Sequence, residues 1–290
     1  MGRGKAQKSL DLVKAAHGIL EEIHPASVRA VAYKLFAQSL TANMGKAQTN
    51  KVSRILRIAR EEGEIPWEWI VDGTRPEEAL PSWDDLEEYS EAVLASYRKT
   101  WWQNQPSLVQ VWSEKDTVAG TLRPVLHAYQ VPFRNMRGFT SATVAHGVAE
   151  RTLVGNQPWR ILYVGDWDPS GLYMSEVDIP KRLTHYGASP DTTVERVALT
   201  EDDTRALGTR LSFPAKTKKL DPRYPWFTAR YGLRCWELDA LDPVVLRDRV
   251  EGAIANIIDQ DAWRHCQAVE EVERQSLRDL VSRWPGAKWG

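Results

Sequence analysis

Two aspartates, Asp166 and Asp168, flank one tryptophan in the stretch YVGDWDPSG, directly after an apolar run. Residues two positions apart at the end of a strand point to the same side, so both carboxylates can face one point. Neighbouring carboxylates repel each other unless a cation intervenes, and a hard oxygen donor set favours Mg²⁺. The spacing alone leaves a second interpretation open, in which Asp168 caps a helix beginning at Pro169 and Asp166 forms a salt bridge.

A third acid, Glu114, follows another apolar run in SLVQVWSEKD. Around these motifs the chain alternates apolar runs with helical patterns, which predicts an α/β fold with a mainly parallel sheet and helices on its faces. Sites in open α/β sheets lie beyond the carboxyl ends of the strands, where both motifs fall. We therefore expect Glu114 to supply a third metal ligand beside Asp166 and Asp168, or to handle a proton.

A second acidic group, Glu237, Asp239 and Asp242, precedes Pro243 and two predicted closing helices near 243–259 and 261–283. We interpret it as a surface helix cap, and an approach of these acids to the metal stays open. Upstream, the segment 215–232 is basic and aromatic and is predicted as a loop.

The first 60 residues are basic, with eleven Lys or Arg against three Asp or Glu. Apolar periodicity predicts helices over residues 9–23, over a segment capped by Ser27, and over about 49–62. The stretch EIPWEWIVDGTR then predicts a short ribbon with a DG turn. Three helices and a ribbon are typical of a winged helix-turn-helix, whose third helix enters the DNA major groove. Here that helix carries Lys51, Arg54 and Arg57 as candidate DNA contacts.

Residues 61–100 are acidic, with twelve Asp or Glu against three Lys or Arg, so the nearly balanced net charge hides a basic head and an acidic neck. A neck helix is predicted from the apolar spacing after Ser82, its expected N-cap. The predicted domains are a winged-helix domain at 1–75, an acidic helical linker at 76–106, and an α/β domain with a C-terminal helical extension at 107–290.

Only two cysteines are present and no apolar run approaches the length of a membrane span, so a disulfide framework, a cysteine zinc site and a transmembrane helix are not expected. The N-terminus lacks the apolar region of a secretion signal. We expect a soluble, cytoplasmic protein without a membrane partner, associated with the nucleoid if it is bacterial or from a phage.

The Glu motif in VQVWSEKD, followed by RILYVGDWDPSGLYM, resembles a Toprim domain over residues 107–200. The resemblance implies a Rossmann-like sheet and Mg²⁺-dependent phosphodiester chemistry, with Mn²⁺ able to substitute. It places Glu114 near the reacting phosphate and Asp166 and Asp168 at the metal. Lys115, beside Glu114, and Arg137, in the stretch MRGFTS, are further candidate DNA contacts.

A winged helix before a Toprim domain resembles the topoisomerase VI A subunit and the meiotic double-strand-break enzyme. Those proteins cut DNA with a tyrosine four residues after an arginine, and Arg29 and Tyr33 keep that spacing. The resemblance implies a 5′-phosphotyrosyl link, a homodimer on double-stranded DNA, and a separate ATPase subunit as a partner. Ala32 stands where the family often has a second tyrosine, which is a departure from its pattern.

Three functions remain open from the residues. Tyr33 is either the nucleophile, with Arg29 stabilising its phenolate or the phosphate, or a packing residue of its helix. If Tyr33 only packs, the same acids serve a Toprim nuclease that hydrolyses DNA with metal-activated water. The third candidate is a DNA-binding module with an inactive Toprim fold, which the three acids argue against.

Overall fold

The computed structural model describes residues 7–71, 80–136, 142–154 and 157–284. Contacts within the chain group it into two compact units, one formed by residues 1–73 with 109–256 and the other by 74–108 with 257–290. The basic head therefore belongs to the same compact unit as the α/β body. The neck groups instead with the C-terminal segment.

Three helices form the head: α1 (Gln7–Ile23), α2 (Val28–Ala37) and α3 (Lys46–Glu61). Their apolar stripes meet in one core, in which Leu20, Val31 and Leu56 are almost completely buried. The predicted cap of α2 is confirmed, because the Ser27 Oγ accepts a hydrogen bond of 3.0 Å from the Ala30 N–H. This cap satisfies one of the free N–H groups that begin a helix.

The predicted ribbon is reduced to a two-residue strand. Strand β1 (Ala26–Ser27) and strand β2 (Ile70–Val71) pair in parallel, before α2 and after α3. Two parallel strands cannot be joined by a tight hairpin. Within the described residues the head therefore has three helices but no antiparallel wing, and the predicted DG turn at 72–73 lies outside those residues.

The acidic neck contains helix α4 (Leu86–Ser96). Its N-cap is Asp85, which accepts a hydrogen bond from the Glu88 N–H, so the prediction of Ser82 as the cap was wrong. The reason is that Asp85 is itself a strong capping residue and lies one turn closer to the apolar spacing.

A parallel four-stranded sheet confirms the predicted α/β class. Its strands, in the spatial order β4-β3-β5-β6, are β3 (Leu108–Ser113), β4 (Phe133–Asn135), β5 (Trp159–Val164) and β6 (Thr193–Ala198). The central strands β3 and β5 are buried along almost their whole length, as expected for apolar runs covered by helices on both faces. Their carboxyl ends lie side by side, because β3 and β5 are neighbours.

Helices follow each strand and cover the sheet. They are α5 (Asp116–Ala128), α6 (Ala142–Thr152), α7 (Pro169–Tyr173), a π turn (Met174–Asp178), α8 (Ile179–His185), and α9 (Glu201–Leu207). A short antiparallel pair, β7 (Phe213–Pro214) and β8 (Arg234–Cys235), encloses α10 (Tyr224–Tyr231). The segment 215–232, predicted as a loop, thus contains a helix. Helix α11 (Pro243–Ala255) completes this unit.

The second unit pairs α4 with α12 (Gln260–Val281). Glu273 of α12 accepts hydrogen bonds from Tyr97 and Lys99, and Trp263 packs edge-on against Trp101 and Trp102. This aromatic cluster accounts for part of the chain's high tryptophan content. None of the helices in the described part of the chain is both long and apolar enough to cross a membrane.

Candidate active site at the carboxyl ends of β3 and β5

The acidic motifs meet at one edge of the sheet. Glu114 follows β3 directly, and Asp166 follows β5 after one glycine. Both line a cavity of about 580 Å³, together with residues of the head. The sequence prediction that these acids converge beyond adjacent strand ends therefore agrees with where the chain places Glu114 and Asp166.

Asp166 is largely shielded from solvent and is held by two donors. Its Oδ1 accepts a hydrogen bond of 2.7 Å from the Leu238 N–H and lies 2.7 Å from the Lys115 Nζ. Burial raises the pKa of Asp166, although the Lys115 charge opposes this shift. Lys115 also lies 2.7 Å from the Asp239 Oδ2. Burial acts to lower the pKa of Lys115, but the charges of Asp166 and Asp239 together raise it above its ordinary value.

Asp168 caps helix α7. Its Oδ1 accepts a hydrogen bond of 2.8 Å from the Gly171 N–H, and its Oδ2 lies 3.1 Å from the Lys218 Nζ. The capping interpretation is therefore correct, and it does not exclude a second role because only one oxygen is used for the cap. Gly171 is required at this position, since an added Cβ would lie 2.4 Å from the Asp166 carbonyl oxygen.

Glu114 is the least satisfied of the three acids. Among the described residues none donates a hydrogen bond to its carboxylate, whereas Asp166 and Asp168 each accept one from a backbone N–H. The pKa of Glu114 is raised to about 7. Burial is the largest cause, followed by the charges of Asp166 and Asp168, which Lys115 and Arg196 only partly offset. The three acids therefore form one electrostatically coupled group.

The three carboxylates are suitable ligands for a divalent cation, but they are not arranged around a common point. In the described ranges, no group of three or more His, Cys, Asp or Glu side chains is positioned to hold a metal ion. Lysine ammonium groups partly neutralise the cluster instead, with Lys115 at Asp166 and Lys218 at Asp168. Three carboxylates are the oxygen ligands that Mg²⁺ prefers, and the charges of Asp166 and Asp168 add to the effect of burial in raising the pKa of Glu114.

Arg196, on β6, organises this strand end and was missed by the sequence analysis. Its guanidinium donates to the carbonyl oxygens of Gly165 at 3.0 Å and Gly171 at 2.5 Å, and to the Ser175 Oγ at 3.0 Å. It thereby ties the end of β5 to helix α7. The alternating pattern of β6 carried no signal that this one arginine turns inward.

The head forms the opposite wall of the cavity. Thr49, Asn50 and Ser53 of α3 line it, so uncharged polar side chains stand across from the acids. Ser27 donates a hydrogen bond to Asp239, and Arg29 forms a two-point ion pair with Glu237. Of the second acidic group, Asp242 caps α11 and pairs with Lys34, as the cap interpretation predicted. Glu237 and Asp239 instead lie at the cavity, which corrects that interpretation for these two residues.

Tyr33 lies in α2 and is 5 % exposed. It lines a second cavity of about 460 Å³, which also contains Arg29, Lys218 and Glu237. Burial raises the pKa of Tyr33 well above its ordinary value; the Glu237 charge raises it too, and the Arg29 and Lys115 charges act in the opposite direction. The Arg29 guanidinium lies 5.8 Å from the centre of the Tyr33 ring.

The predicted DNA contacts on α3 lie at the surface of the head. Arg54 and Arg57 are exposed, Lys51 is half-buried, and Arg57 pairs with Glu61 one turn later. Lys115 lies in the acidic cavity instead, where it contacts Asp166 and Asp239. Arg137 lies outside the described residues. The structure thus separates Lys115 from the surface bases with which the sequence analysis had grouped it.

Comparisons with known proteins find no match: no family model, no curated protein and no solved structure is significantly similar to this chain.

Proposed function

We propose that this chain is a Mg²⁺-dependent DNA-cleaving enzyme, with a Toprim-like sheet as its catalytic part and a winged-helix-like head as a DNA-binding part. One observation carries the proposal. Glu114, Asp166 and Asp168 follow neighbouring parallel strands and form one coupled group of carboxylates beside a cavity. The motif resemblance to Toprim domains supports the same chemistry, as does the basic charge of the head.

In this proposal Asp166 and Asp168 hold Mg²⁺, or Mn²⁺ in its place, and Glu114 either supplies a third ligand or accepts a proton. The bound ion would neutralise charge that develops on the oxygens of the scissile phosphate. Lys115 and Lys218 would contribute positive charge at the same edge. When Glu114 is not itself bound to the ion, its pKa of about 7 suits it to accept a proton from the attacking group near neutral pH.

Two groups are candidates for the attack on phosphorus. In the hydrolytic route, a water oxygen bonds to phosphorus, its proton passes to Glu114, and the bond to the leaving nucleotide oxygen breaks. In the topoisomerase-like route, the Tyr33 oxygen bonds to phosphorus and the bond from phosphorus to the 3′-oxygen breaks. The phenol loses its proton and the departing 3′-oxygen gains one, which leaves a 5′-phosphotyrosyl link and a free 3′-hydroxyl. The burial of Tyr33 and its raised pKa favour water, because a phenol must lose its proton to attack.

One observation supports the tyrosine route: Tyr33 lies near charged groups of the site. Its pKa responds to the charges of Lys115 and Asp166, and it shares a cavity with Lys218, the partner of Asp168. This route would use a homodimer on double-stranded DNA and a separate ATPase subunit, as the resemblance to the topoisomerase VI A subunit implies. Reduced activity without such partners would be expected only for this route.

The test is incubation of supercoiled duplex and circular single-stranded DNA with the protein and Mg²⁺, stopped with denaturant. Wild type should cleave, and Asp166→Asn should not. Free DNA ends that persist in Tyr33→Phe select hydrolysis, whereas covalent protein–DNA adducts lost in Tyr33→Phe select the tyrosine. DNA that is bound but never cut, with any of the three proteins and with Mg²⁺ or Mn²⁺, would overturn the proposal in favour of a binding module.

A further inference from the structure

The size of the cavity beside the acids limits which DNA can reach them. Its volume of about 580 Å³ is within the range of pockets that take one small ligand, and it opens to solvent on one side. A cavity of this size can take one nucleotide-sized group but not a duplex, whose major groove alone is about 12 Å wide. The acids lie deep, since the side chains of Asp166 and Asp168 are only 14 % and 4 % exposed.

The head that narrows this cavity is fastened to the sheet at several points. Lys34 pairs with Asp242, and Arg247 donates to the carbonyl oxygens of Ile23 at 3.1 Å and Pro25 at 3.2 Å. Helix α5 also packs closely on β2, because a Cβ on Gly120 would lie 2.2 Å from a methyl carbon of Val71. Head and sheet belong to one compact unit, so opening the cavity for a duplex would break this set of contacts together.

The wall of the cavity contributed by α3 suits a single strand. Thr49, Asn50 and Ser53 present hydroxyl and amide groups, which can bond to a base edge or a phosphate. The basic side chains of Arg54 and Arg57 on α3 are exposed at the surface, where they can contact duplex DNA that adjoins the single strand.

A basic and aromatic surface lies next to Asp168 and gives independent support. Residues 210–234 contain seven Lys or Arg and one Asp. Lys218 contacts Asp168, and Lys216 and Lys219 beside it are exposed. On α10 the half-buried Trp226 packs edge-on against Tyr173 of α7 at 5.2 Å. Proteins that bind single strands combine positive charge along the backbone with aromatic rings on which bases stack.

From these observations we infer that the strand entering the site is unpaired, so that the substrate is DNA with a single-stranded segment, such as a flap, a gap or a melted region. This inference rests on the proposed function. It predicts that the acids act on a single strand and that duplex DNA contributes only by binding the outside of the head.

The first experiment compares three labelled DNAs of the same sequence by fluorescence anisotropy in EDTA: a single strand of about 30 nucleotides, its blunt duplex, and a duplex with an unpaired tail. The single strand and the tailed duplex should bind at least ~10-fold more tightly than the blunt duplex. Cleavage in Mg²⁺ should map to the unpaired segment. Equal affinity for all three DNAs, or cuts in the interior of the blunt duplex, would overturn the inference.

Two tryptophan variants of α3 test whether the single strand binds in the cavity. Ser53→Trp should fill it from the exposed surface of α3 and weaken binding of the single strand about 10-fold, with duplex binding unchanged. Ala47→Trp, also exposed on α3 but outside the cavity, is the matched control and should bind like wild type. Unchanged single-strand affinity in folded Ser53→Trp would contradict the inference.

Failure of the inference and failure of the proposed function look different. If no DNA is cleaved but the single strand binds preferentially and Ser53→Trp weakens that binding, the enzyme proposal fails, and of the inference only the binding of an unpaired strand in the cavity stands. If blunt duplex is cut in its interior in a manner that requires Asp166, the enzyme proposal stands and the inference fails.

Discussion

The acids at the strand ends and the Arg29–Tyr33 pair of α2 are both enclosed in the same compact unit, yet their surroundings differ. Each acid lies near a lysine or a backbone donor, and the pKa of Glu114 is raised to about 7. Tyr33 is packed in the head, and its arginine is engaged by Glu237. Sequence spacing identifies the acids and the Arg29–Tyr33 pair equally well as candidate catalytic groups. The environment of each group then decides which of them can do chemistry near neutral pH.

The largest effect on activity is expected from a change at Asp166. Asp166→Asn keeps an oxygen that can accept the hydrogen bond from Leu238 but loses the charge. We expect cleavage to fall about 1000-fold, in line with loss of an electrostatic group from an active site. Thermal stability should fall modestly, because Lys115 loses its ion pair with Asp166 and keeps the one with Asp239. Initial cleavage rates measure the effect, and Asp202→Asn, on the surface of α9, is the control.

A second change tests whether the acids depend on the close fit of α7. Gly171→Ala would push a methyl group into the Asp166 carbonyl and should lower the free energy of unfolding by about 3 kcal/mol. Gly252→Ala is the matched control, since nothing lies within 4 Å of a Cβ there and alanine favours a helix. Urea denaturation compares the two variants. Equal stability would show that the strand end adjusts without cost.

The raised pKa of Glu114 predicts a pH dependence of stability. Between pH 4.5 and about 7 the folded protein holds a proton on Glu114 that the unfolded chain has released, so the free energy of unfolding should fall as pH rises through this window. After allowance for partial exposure we expect a loss of roughly 1–2 kcal/mol. Asp166, whose pKa is also raised, acts in the same direction.

Denaturation of wild type and Glu114→Gln at pH 5.5 and pH 8 measures this effect. The variant should lose less stability at pH 8 than wild type does. Addition of Mg²⁺ at pH 8 should stabilise wild type more than the variant, because the ion and the proton compete for the same carboxylate. Identical pH profiles for the two proteins would contradict the raised pKa.

The smallest effect is expected at Tyr33. If water attacks, Tyr33→Phe should change the cleavage rate by less than about twofold, since the ring stays packed and only a hydroxyl is lost. Tyr186→Phe, at the far end of α8, serves as the control. A loss of two or more orders of magnitude in Tyr33→Phe alone would establish the tyrosine as the attacking group and reverse the contrast between the two regions.

Much of the architecture was predictable because it depends on local pattern. The apolar runs of β3 and β5, the alternating pattern of β6 and the cap at Ser27 indicated these strands, their order along the chain and the start of α2. The convergence of Glu114 and Asp166 followed from a general rule about parallel strand ends. Neither step required knowledge of contacts between distant parts of the chain.

The rest depends on long-range contacts, which spacing does not encode. Asp239 lies 124 positions from Lys115 in the chain and 212 from Ser27, yet contacts both. Arg196 looked like any polar residue of an alternating strand, and its role appears only where three carbonyl or hydroxyl groups converge on it. The parallel pairing of β1 with β2 was likewise invisible, because two-residue strands leave no periodicity.

The contact between Gly120 and Val71 has a consequence for how this chain can be divided. Because α5 fits against β2 without room for a methyl group, an excised head would expose an apolar edge, and an excised sheet would retain a groove made for that edge. Protein engineers who treat residue 73 as a place to exchange one DNA-binding module for another should obtain insoluble chimeras, unless the incoming module brings its own complement to that groove.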